Sequence, residues 1–320
     1  MKTLYFDCFA GASGDMILGA MVAAGVDPNY LRAQLSSLPV TGFEINFETV
    51  NRSGLSATYA RVETAHEHKH RHLSDIKQII EASGLSAPVK QRAIQIFTRL
   101  AEAEARVHNE PVDHVHFHEV GALDAIVDVV GAAVCFDALK IDQFICSPLH
   151  VGSGMVKMAH GQFPIPPPAV AELLKGVPFY ATDIKGELLT PTGAAIITTV
   201  CSSYGPIPPL TTDITGYGAG TREYQDFPNV LRVMIGETET NTATDDRLWM
   251  LETNLDDSSP QIIGHVMDRV LELGALDCFF TPVQMKKNRP GVLLSVLCRR
   301  EEKEAVMKLL FMETTTLGVR

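Results

Sequence analysis

Residues 2–25, KTLYFDCFAGASGDMILGAMVAAG, decide the fold of the first part of this chain. The mostly apolar run at residues 2–9 is typical of a β-strand, and the small residues at 10–14 are typical of a turn. Apolar residues then recur from Met16 to Ala24 and end at Gly25, as in a buried helix with a glycine after its last turn. The stretch therefore predicts a strand, a glycine loop and a helix.

Strands and helices continue to alternate after this stretch, with one polar interruption. Residues 236–246, GETETNTATDD, have no apolar periodicity, and we interpret them as a linker between a domain at 1–235 and a domain at 247–320. The pattern after the linker predicts β-α-β-β-α, which is five of the six elements of a ferredoxin-like unit. The predicted fold class is α/β: a layered N-terminal domain and an incomplete ferredoxin-like C-terminal domain.

Composition and charge exclude several classes of protein. The chain of 320 residues has a formal net charge of −11, which opposes binding to nucleic acid or to an anionic membrane surface. No run of ~18 apolar residues is present, so we expect no membrane span. The six cysteines form no CxxC pair, which is typical of reduced thiols in a cytoplasmic protein.

Histidine is concentrated between residues 66 and 118, where eight of the 11 histidines fall. Alternate side chains of a strand share a face, so a strand at 112–120 would place His114, His116 and His118 together. Imidazoles at this spacing suit a metal such as nickel or zinc. The alternative is a polar strand face exposed to water.

The second histidine cluster is residues 66–72, HEHKHRH. Either a strand or a helix would group His66, His68, His70 and His72 closely enough to hold a divalent ion weakly. We interpret this cluster as a segment that captures or delivers a late first-row metal. The alternative is a solvated loop that is rich in histidine.

Acidic side chains beside the turns are candidates for catalysis. Asp7 lies in a predicted strand, where a buried carboxylate needs a partner. Asp124 and Asp128 lie one turn apart in a predicted helix, and Asp124 has the alternative role of N-cap. The candidate catalytic residues are Asp7, Asp15, His118 and Glu119.

Two parts of the chain are candidates for binding a phosphate or another anion. One is the glycine loop at the start of the first helix, since helix N-termini present free N–H groups. The other is the basic stretch at 286–289, for which a solvated hairpin tip is the alternative. A second glycine loop at 216–222 fits either an anion or a tight turn. The candidate residues are Gly11, Ser13, Gly14, Lys286, Lys287 and Arg289.

Six motifs of the chain together resemble the LarC family of nickel-insertion proteins. They are YFDCFAGASGDM at 5–16, HEHKHRHL at 66–73, HFHEVGA at 116–122, GELLTPTG at 186–193, GYGAG at 216–220 and ETNLDD at 252–257. Family members continue beyond a segment like residues 313–320. We therefore expect either a truncated chain or a last strand of the ferredoxin-like unit that comes from elsewhere.

The resemblance implies a lyase-class enzyme of cofactor biosynthesis, a nickel chelatase or insertase. It implies that pyridinium-3,5-bisthiocarboxylic acid mononucleotide receives nickel, with a carbon–nickel bond flanked by two sulfurs. The reaction would consume CTP with manganese or magnesium, and its product would serve lactate racemase-type enzymes, whose apo form is an expected partner. We expect nickel in domain 1–235 and the nucleotide in domain 247–320. The open sheet edge leads us to expect a homo-oligomer.

Two other functions fit the same residues. One is a nickel metallochaperone or store without catalysis, which CTP-dependent product formation would exclude. The other is a metal-dependent phosphohydrolase that uses Asp7, Asp15 and His118. Hydrolysis of simple phosphate esters, without any thiocarboxylate substrate, would favour this second function.

We expect the double substitution His116→Ala/His118→Ala to abolish nickel insertion and to leave CTP binding by residues 247–320 intact. The two imidazoles are predicted to hold nickel together with Asp7 or Glu119, whereas the nucleotide is expected in the other domain. Absorbance of the nickel product and equilibrium dialysis of CTP measure the two effects. Full insertion activity in the double variant would contradict the assignment.

Overall fold

A computed structural model of the chain describes residues 1–64, 71–115, 117, 123–158, 161–238 and 248–320. The chain divides into two compact units, Met1–Glu239 and Thr240–Arg320. Each unit has its own cluster of buried apolar side chains. Helices and strands alternate in both, so the α/β class predicted from the sequence is confirmed.

The first unit combines one large sheet with helices and several short two-stranded ladders. Its helices are α1 (Gly14–Ala23), α2 (Pro28–Leu35), α3 (Leu73–Glu81), α4 (Ala87–His108), α5 (Leu123–Ala138), α6 (Pro168–Leu173) and α7 (Pro191–Val200). Its strands are β1 (Lys2–Asp7), β2 (Phe43–Arg52), β3 (Leu55–Thr64), β4 (Gln143–Cys146), β5 (Leu149–His150), β6 (Gly152–Ser153), β7 (Met155–Met158), β8 (Gly161–Pro164), β9 (Phe179–Tyr180), β10 (Gly186–Glu187), β11 (Ser203–Tyr204), β12 (Leu210–Ala219) and β13 (Val230–Thr238).

The predicted opening of strand, glycine loop and helix forms the centre of this unit. The large sheet has the order β11-β4-β1-β13-β12-β3-β2, and β1 pairs in parallel with β4 and antiparallel with β13. Residues 3–6 of β1 are buried, as expected of a central strand. Because β13 continues to Thr238, the first residues assigned to the linker at 236–246 belong to the sheet instead.

Helix α1 packs closely against the sheet because glycines lie between them. A Cβ atom added at Gly218 of β12 would lie 1.8 Å from the backbone oxygen of Met16, and one at Gly216 would lie 2.3 Å from that of Ala20. The interpretation of residues 216–222 as a glycine loop is therefore wrong for these two glycines. They lie in a strand, and their missing side chains allow the helix to approach.

The predicted strand at 112–120 is wrong at its start. Val112–His114 is a turn of 3₁₀-helix, in which the N–H of His114 donates to the carbonyl of Pro111 at 2.9 Å. Proline fixes φ near the helical value, and this favours a turn at the point where the sequence alternation suggests a strand. Val115 and Phe117 are buried nevertheless. His116, His118 and Glu119 lie outside the described residues, so their shared face stays a prediction.

The second unit has the predicted element order, β-α-β-β-α. Its elements are β14 (Trp249–Leu255), α8 (Pro260–Glu272), β15 (Asp277–Met285), β16 (Arg289–Cys298) and α9 (Lys303–Glu313), with the sheet order β14-β16-β15. Val266 and Val270 of α8 and Leu310 of α9 are buried in its apolar cluster. Arg320 exchanges two backbone hydrogen bonds with Glu252, at 2.8 and 3.0 Å, on the free edge of β14. This edge is where the fourth strand of a ferredoxin-like sheet would pair.

No helix in the described part of the chain is long and apolar enough to cross a membrane. All six cysteines are free thiols.

We expect Gly218→Ala to lower the free energy of unfolding of the first unit by about 1–3 kcal/mol, the usual cost of overpacking a close contact. The added methyl group would meet backbone atoms of α1, which have no rotamer available to avoid it. Gly264→Ala is the matched control, because a Cβ at Gly264 of α8 meets nothing within 4 Å. Urea unfolding of the chain measures both, and equal stability of the two variants would contradict the close packing.

Candidate functional site

Two helices of the first unit begin side by side. The segment before α1 runs parallel to the segment before α7, with a bridge between Ala12 and Leu189. The N–H of Ala12 donates to the carbonyl of Leu188, and the N–H of Thr190 donates to that of Ala12, both at 3.0 Å. The sequence Thr190-Pro191 predicts an N-cap followed by proline at the first helical position. This start of α7 is confirmed, since the Thr190 hydroxyl accepts from the N–H of Gly193 at 3.2 Å. Motifs far apart in the sequence thus meet at one place.

A cavity of about 370 Å³ lies at these two helix starts. Strand β3 forms one wall and α5 contributes two aspartates. A second cavity of about 180 Å³ shares several of its residues and adds Arg222 and Asn229. The polar residues that line the larger cavity are Ser13, Asp15, Tyr59, Asp124, Asp128, Glu187, Thr190, Thr192 and Thr221.

Asp128 lies beside Gly14 at the base of the larger cavity. A Cβ at Gly14 would lie 2.2 Å from Oδ2 of Asp128, so only glycine leaves room for this carboxylate. The Oδ1 atom is buried and has no hydrogen-bond partner among the described residues. Burial raises the pKa of Asp128 well above its usual value, and the charges of Asp15 and Asp124 raise this pKa further.

Asp15 is the neighbouring carboxylate, in the first turn of α1. It accepts hydrogen bonds from the hydroxyl of Ser13 and, at 3.3 Å, from that of Thr221. Burial raises the pKa of Asp15, although its hydrogen bonds from Ser13, from the Met16 backbone and from Thr221 act in the opposite direction. Asp15 and Asp128 therefore form a pair of carboxylates with elevated proton affinity.

The two cavities differ in charge. The larger cavity is lined by Asp15, Asp124, Asp128 and Glu187, and this acidic lining suits a cation. Asp15 and Glu187 also line the smaller cavity, whereas Asp124 and Asp128 do not. The smaller cavity presents the guanidinium of Arg222, whose side chain makes no ion pair with a described residue. A ligand with one positive and one negative end would therefore find complementary charge at both ends.

Asp7 lies away from both cavities. It faces Arg232 across the β1–β13 pair, and its Oδ2 accepts from Nε of Arg232 at 2.9 Å. The partner expected for this carboxylate is thus Arg232, with which Asp7 forms an ion pair within the sheet. Its predicted catalytic role stays a prediction, and the structure accounts for Asp7 without one.

Contrary to the prediction from the sequence, the glycine loop before α1 does not offer all of its amides to an anion. The N–H of Gly11 already donates to the carbonyl of Cys8 at 2.9 Å, so this amide serves the turn. Gly11 has a φ of 74°, and a Cβ there would lie 2.1 Å from the carbonyl oxygen of Leu188. Gly11 therefore allows the two segments to approach, whereas Ser13 and Gly14 line the cavity.

Only part of the predicted histidine set falls within the described residues. His114 is exposed in the 3₁₀ turn. His72 precedes α3, and its Nδ1 lies 3.1 Å from the carbonyl oxygen of Val115, so it links the two histidine clusters. His66, His68 and His70 lie outside the described residues. Among the residues that the structure describes, no three His, Cys, Asp or Glu side chains are grouped as metal ligands.

The predicted basic residues of the second unit are exposed at the β15–β16 connection. Lys286 and Lys287 belong to a short 3₁₀ turn, and Arg289 begins β16. Nη1 of Arg289 lies 3.4 Å from Oδ2 of Asp256 in the ETNLDD motif. An exposed ion pair of this kind contributes little to stability, which leaves the cations available to a ligand.

Comparison with known proteins places this chain in a family. The family model described as nickel insertion protein matches residues 4–320. The chain belongs to the nickel insertion protein family. Family membership covers both units, including the segments that form the acidic cavity and the basic connection.

Named relatives agree with this assignment. The pyridinium-3,5-bisthiocarboxylic acid mononucleotide nickel insertion protein of Acetivibrio thermocellus is 48% identical, over 100% of this chain and 81% of the relative. The protein of the same name from Geobacillus kaustophilus is 46% identical, over 100% of this chain and 82% of the relative.

One solved structure is similar in sequence to part of the chain. It is described as LarC2, the C-terminal domain of a cyclometallase involved in the synthesis of the NPN cofactor of lactate racemase, in its apo form. It is 49% identical and covers 23% of this chain and 51% of that chain, with a TM-score of 0.23.

The sequence argument missed several residues of the cavity as site residues. Glu187, Thr190 and Thr192 were not among its candidates, although they belong to the GELLTPTG motif that carries the family resemblance, whereas Arg222 was included in the possible anion loop at 216–222. The polar residues of this motif were the signal in the sequence that could have identified them as site residues. Only the parallel contact between Ala12 and Leu189 shows that the motif faces the first glycine loop.

We expect Asp128→Asn to stabilise the protein relative to the wild type at neutral pH and not at acidic pH. A carboxylate whose folded pKa is raised favours folding below its unfolded pKa of about 4, and this contribution is lost as the pH rises through the folded value. Asparagine does not ionise, so the variant avoids this loss.

Thermal unfolding between pH 4 and pH 8 measures the difference. The exposed Asp268 of α8 provides the matched control, Asp268→Asn, for which we expect no such trend. A stability difference between Asp128→Asn and the wild type that stays constant across this range would contradict the elevated pKa of Asp128.

Proposed function

We propose that this chain inserts nickel into pyridinium-3,5-bisthiocarboxylic acid mononucleotide, as the names of its relatives describe for them. The observation that carries the proposal for this chain is the acidic cavity at the starts of α1 and α7, beside a smaller cavity with Arg222. Nickel and the mononucleotide are both substrates of the reaction.

The charges of the substrate match those of the two cavities. The pyridinium ring is positively charged and nickel is a dication, so the carboxylates of Asp15, Asp124 and Glu187 favour the presence of both at the same place. The phosphate of the mononucleotide is negative and would be repelled by these carboxylates. Arg222 in the adjoining cavity is a suitable partner for it, since a guanidinium can form two hydrogen bonds with one phosphate.

This arrangement revises where the phosphate is expected. The amide of Gly11 is used within the loop, and Asp15 occupies the start of α1. A free helix N-terminus would suit phosphate, but a carboxylate in its first turn opposes a second anion. The proposal therefore moves the phosphate from the glycine loop to Arg222.

The second unit is proposed to bind CTP with manganese or magnesium. Lys286 and Lys287 are exposed cations at the β15–β16 connection, and Asp256 of the neighbouring motif pairs with Arg289. Cations suit a triphosphate, and carboxylates suit the divalent ion that accompanies it. Lyase chemistry, delivery of the product to a lactate racemase-type enzyme, a homo-oligomer and a cytoplasmic location belong to the same proposal.

Reconstitution tests the function directly. The full chain is incubated with nickel, CTP, manganese and the thiocarboxylated mononucleotide, and the new ligand-to-metal absorbance is recorded. Product that depends on every component supports the proposal. Stoichiometric nickel binding without product would indicate a nickel store, and hydrolysis of simple phosphate esters would indicate a phosphohydrolase.

We expect Arg222→Ala to raise the KM for the mononucleotide at least tenfold with little change in kcat. A hydrogen bond to a charged group is worth about 1.5–3 kcal/mol, and the phosphate lies away from the reacting carbon. Arg106→Ala on α4 is the matched control, since Arg106 is exposed and lines neither cavity. An unchanged KM in Arg222→Ala would remove Arg222 from the phosphate site.

A further inference from the structure

Nickel insertion requires a base, and this inference rests on the proposed function. The two thiocarboxylates occupy ring positions 3 and 5, so a carbon–nickel bond that both sulfurs flank forms at position 4. That carbon carries a hydrogen in the substrate. Its proton must therefore leave when the metal arrives.

The larger cavity contains several groups that could accept a proton. Asp15 already accepts hydrogen bonds from Ser13 and Thr221. Asp124 is exposed, and its Oδ1 accepts from the N–H of Ala125 at 2.8 Å. Among the described residues that line the cavity, Asp128 has a buried carboxylate oxygen without any hydrogen-bond partner.

The position of Asp128 is fixed by its surroundings. It belongs to α5, most of whose residues are buried, so its backbone is held by the core. Its carboxylate rests against Gly14, where no side chain comes between it and the start of α1. A base must be held at a defined position to be effective, and these contacts hold Asp128 in such a position.

We propose that the carboxylate of Asp128 is the base that removes the proton from carbon 4 of the pyridinium ring as nickel bonds to that carbon. The C–H bond breaks and its electron pair forms the carbon–nickel bond. The proton passes to the carboxylate of Asp128, and nickel stays divalent, so no oxidant or reductant is needed. The proton then leaves through the cavity opening to water.

The neighbouring charges favour this sequence of events. In the empty cavity, burial raises the pKa of Asp128, and Asp15 and Asp124 raise it further. The arrival of the pyridinium ring and nickel lowers this pKa, because positive charges favour the ionised carboxylate. The other titratable groups that line the cavity are Tyr59, Asp124 and Glu187, and Arg222 lies in the adjoining cavity.

The test compares Asp128→Asn, Asp128→Ala, Asp128→Glu and Asp268→Asn in the full chain. General-base catalysis contributes about 10²–10⁴-fold, so we expect Asp128→Asn to slow insertion at least 100-fold with unchanged affinity for the mononucleotide. Added formate should restore part of the rate in Asp128→Ala, because the truncated side chain leaves space for a small carboxylate that can accept the proton. Asp268→Asn, on an exposed carboxylate of α8 that lines neither cavity, should stay within a few-fold of the wild type.

Each outcome separates this inference from the proposed function. A wild type that forms no product refutes the proposed function itself. An active wild type with an equally active Asp128→Asn overturns only the base assignment, as does loss of mononucleotide affinity in this variant or the absence of formate rescue in Asp128→Ala. If Asp128→Asn does not fold, Asp128→Glu tests the assignment instead. A slower insertion rate with an altered pH profile supports Asp128 as the base, whereas a wild-type rate and a wild-type pH profile overturn this assignment.

Discussion

The contact between helix α1 and strand β12 is the constraint on which the first unit depends. Gly216 and Gly218 bring the helix within contact of the strand backbone, and a single methyl group would separate them. This contact fixes where α1 begins, and the parallel bridge from Ala12 to Leu189 fixes the start of α7 beside it. The cavity exists because both helices begin at the same edge.

Glycine has two separate roles at this edge. Gly11 has a positive φ and allows the two loop segments to touch, whereas Gly14 leaves the space that Asp128 fills. These packing roles explain why both residues are glycine, without any role in binding an anion. The loop that suggested a phosphate site from the sequence thus forms the floor of an acidic cavity instead. The acidic side chains around the loop determine the electrostatic potential there, and they favour a cation.

The two units differ in the charges that they present. Carboxylates gather in the first unit at the starts of α1 and α7, and cations are exposed in the second unit at Lys286 and Lys287. This distribution is the basis for proposing a cationic ring and a metal in one unit and a triphosphate in the other. Within the first unit, Arg222 is the positively charged side chain proposed to bind the mononucleotide phosphate.

The sequence by itself determined the α/β class, the opening of strand, loop and helix, the N-cap at Thr190 and the element order after residue 248, because these depend on local periodicity and capping. The predicted strand was wrong at the start of 112–120, where Pro111 favours a turn. The predicted loop was wrong for the glycines of β12, which contact helix α1 about 200 residues earlier in the chain. Only the tertiary structure decided which carboxylates meet. Asp15 and Asp128 come from helices far apart in the sequence, and their elevated pKa arises from shared burial, which no local pattern encodes.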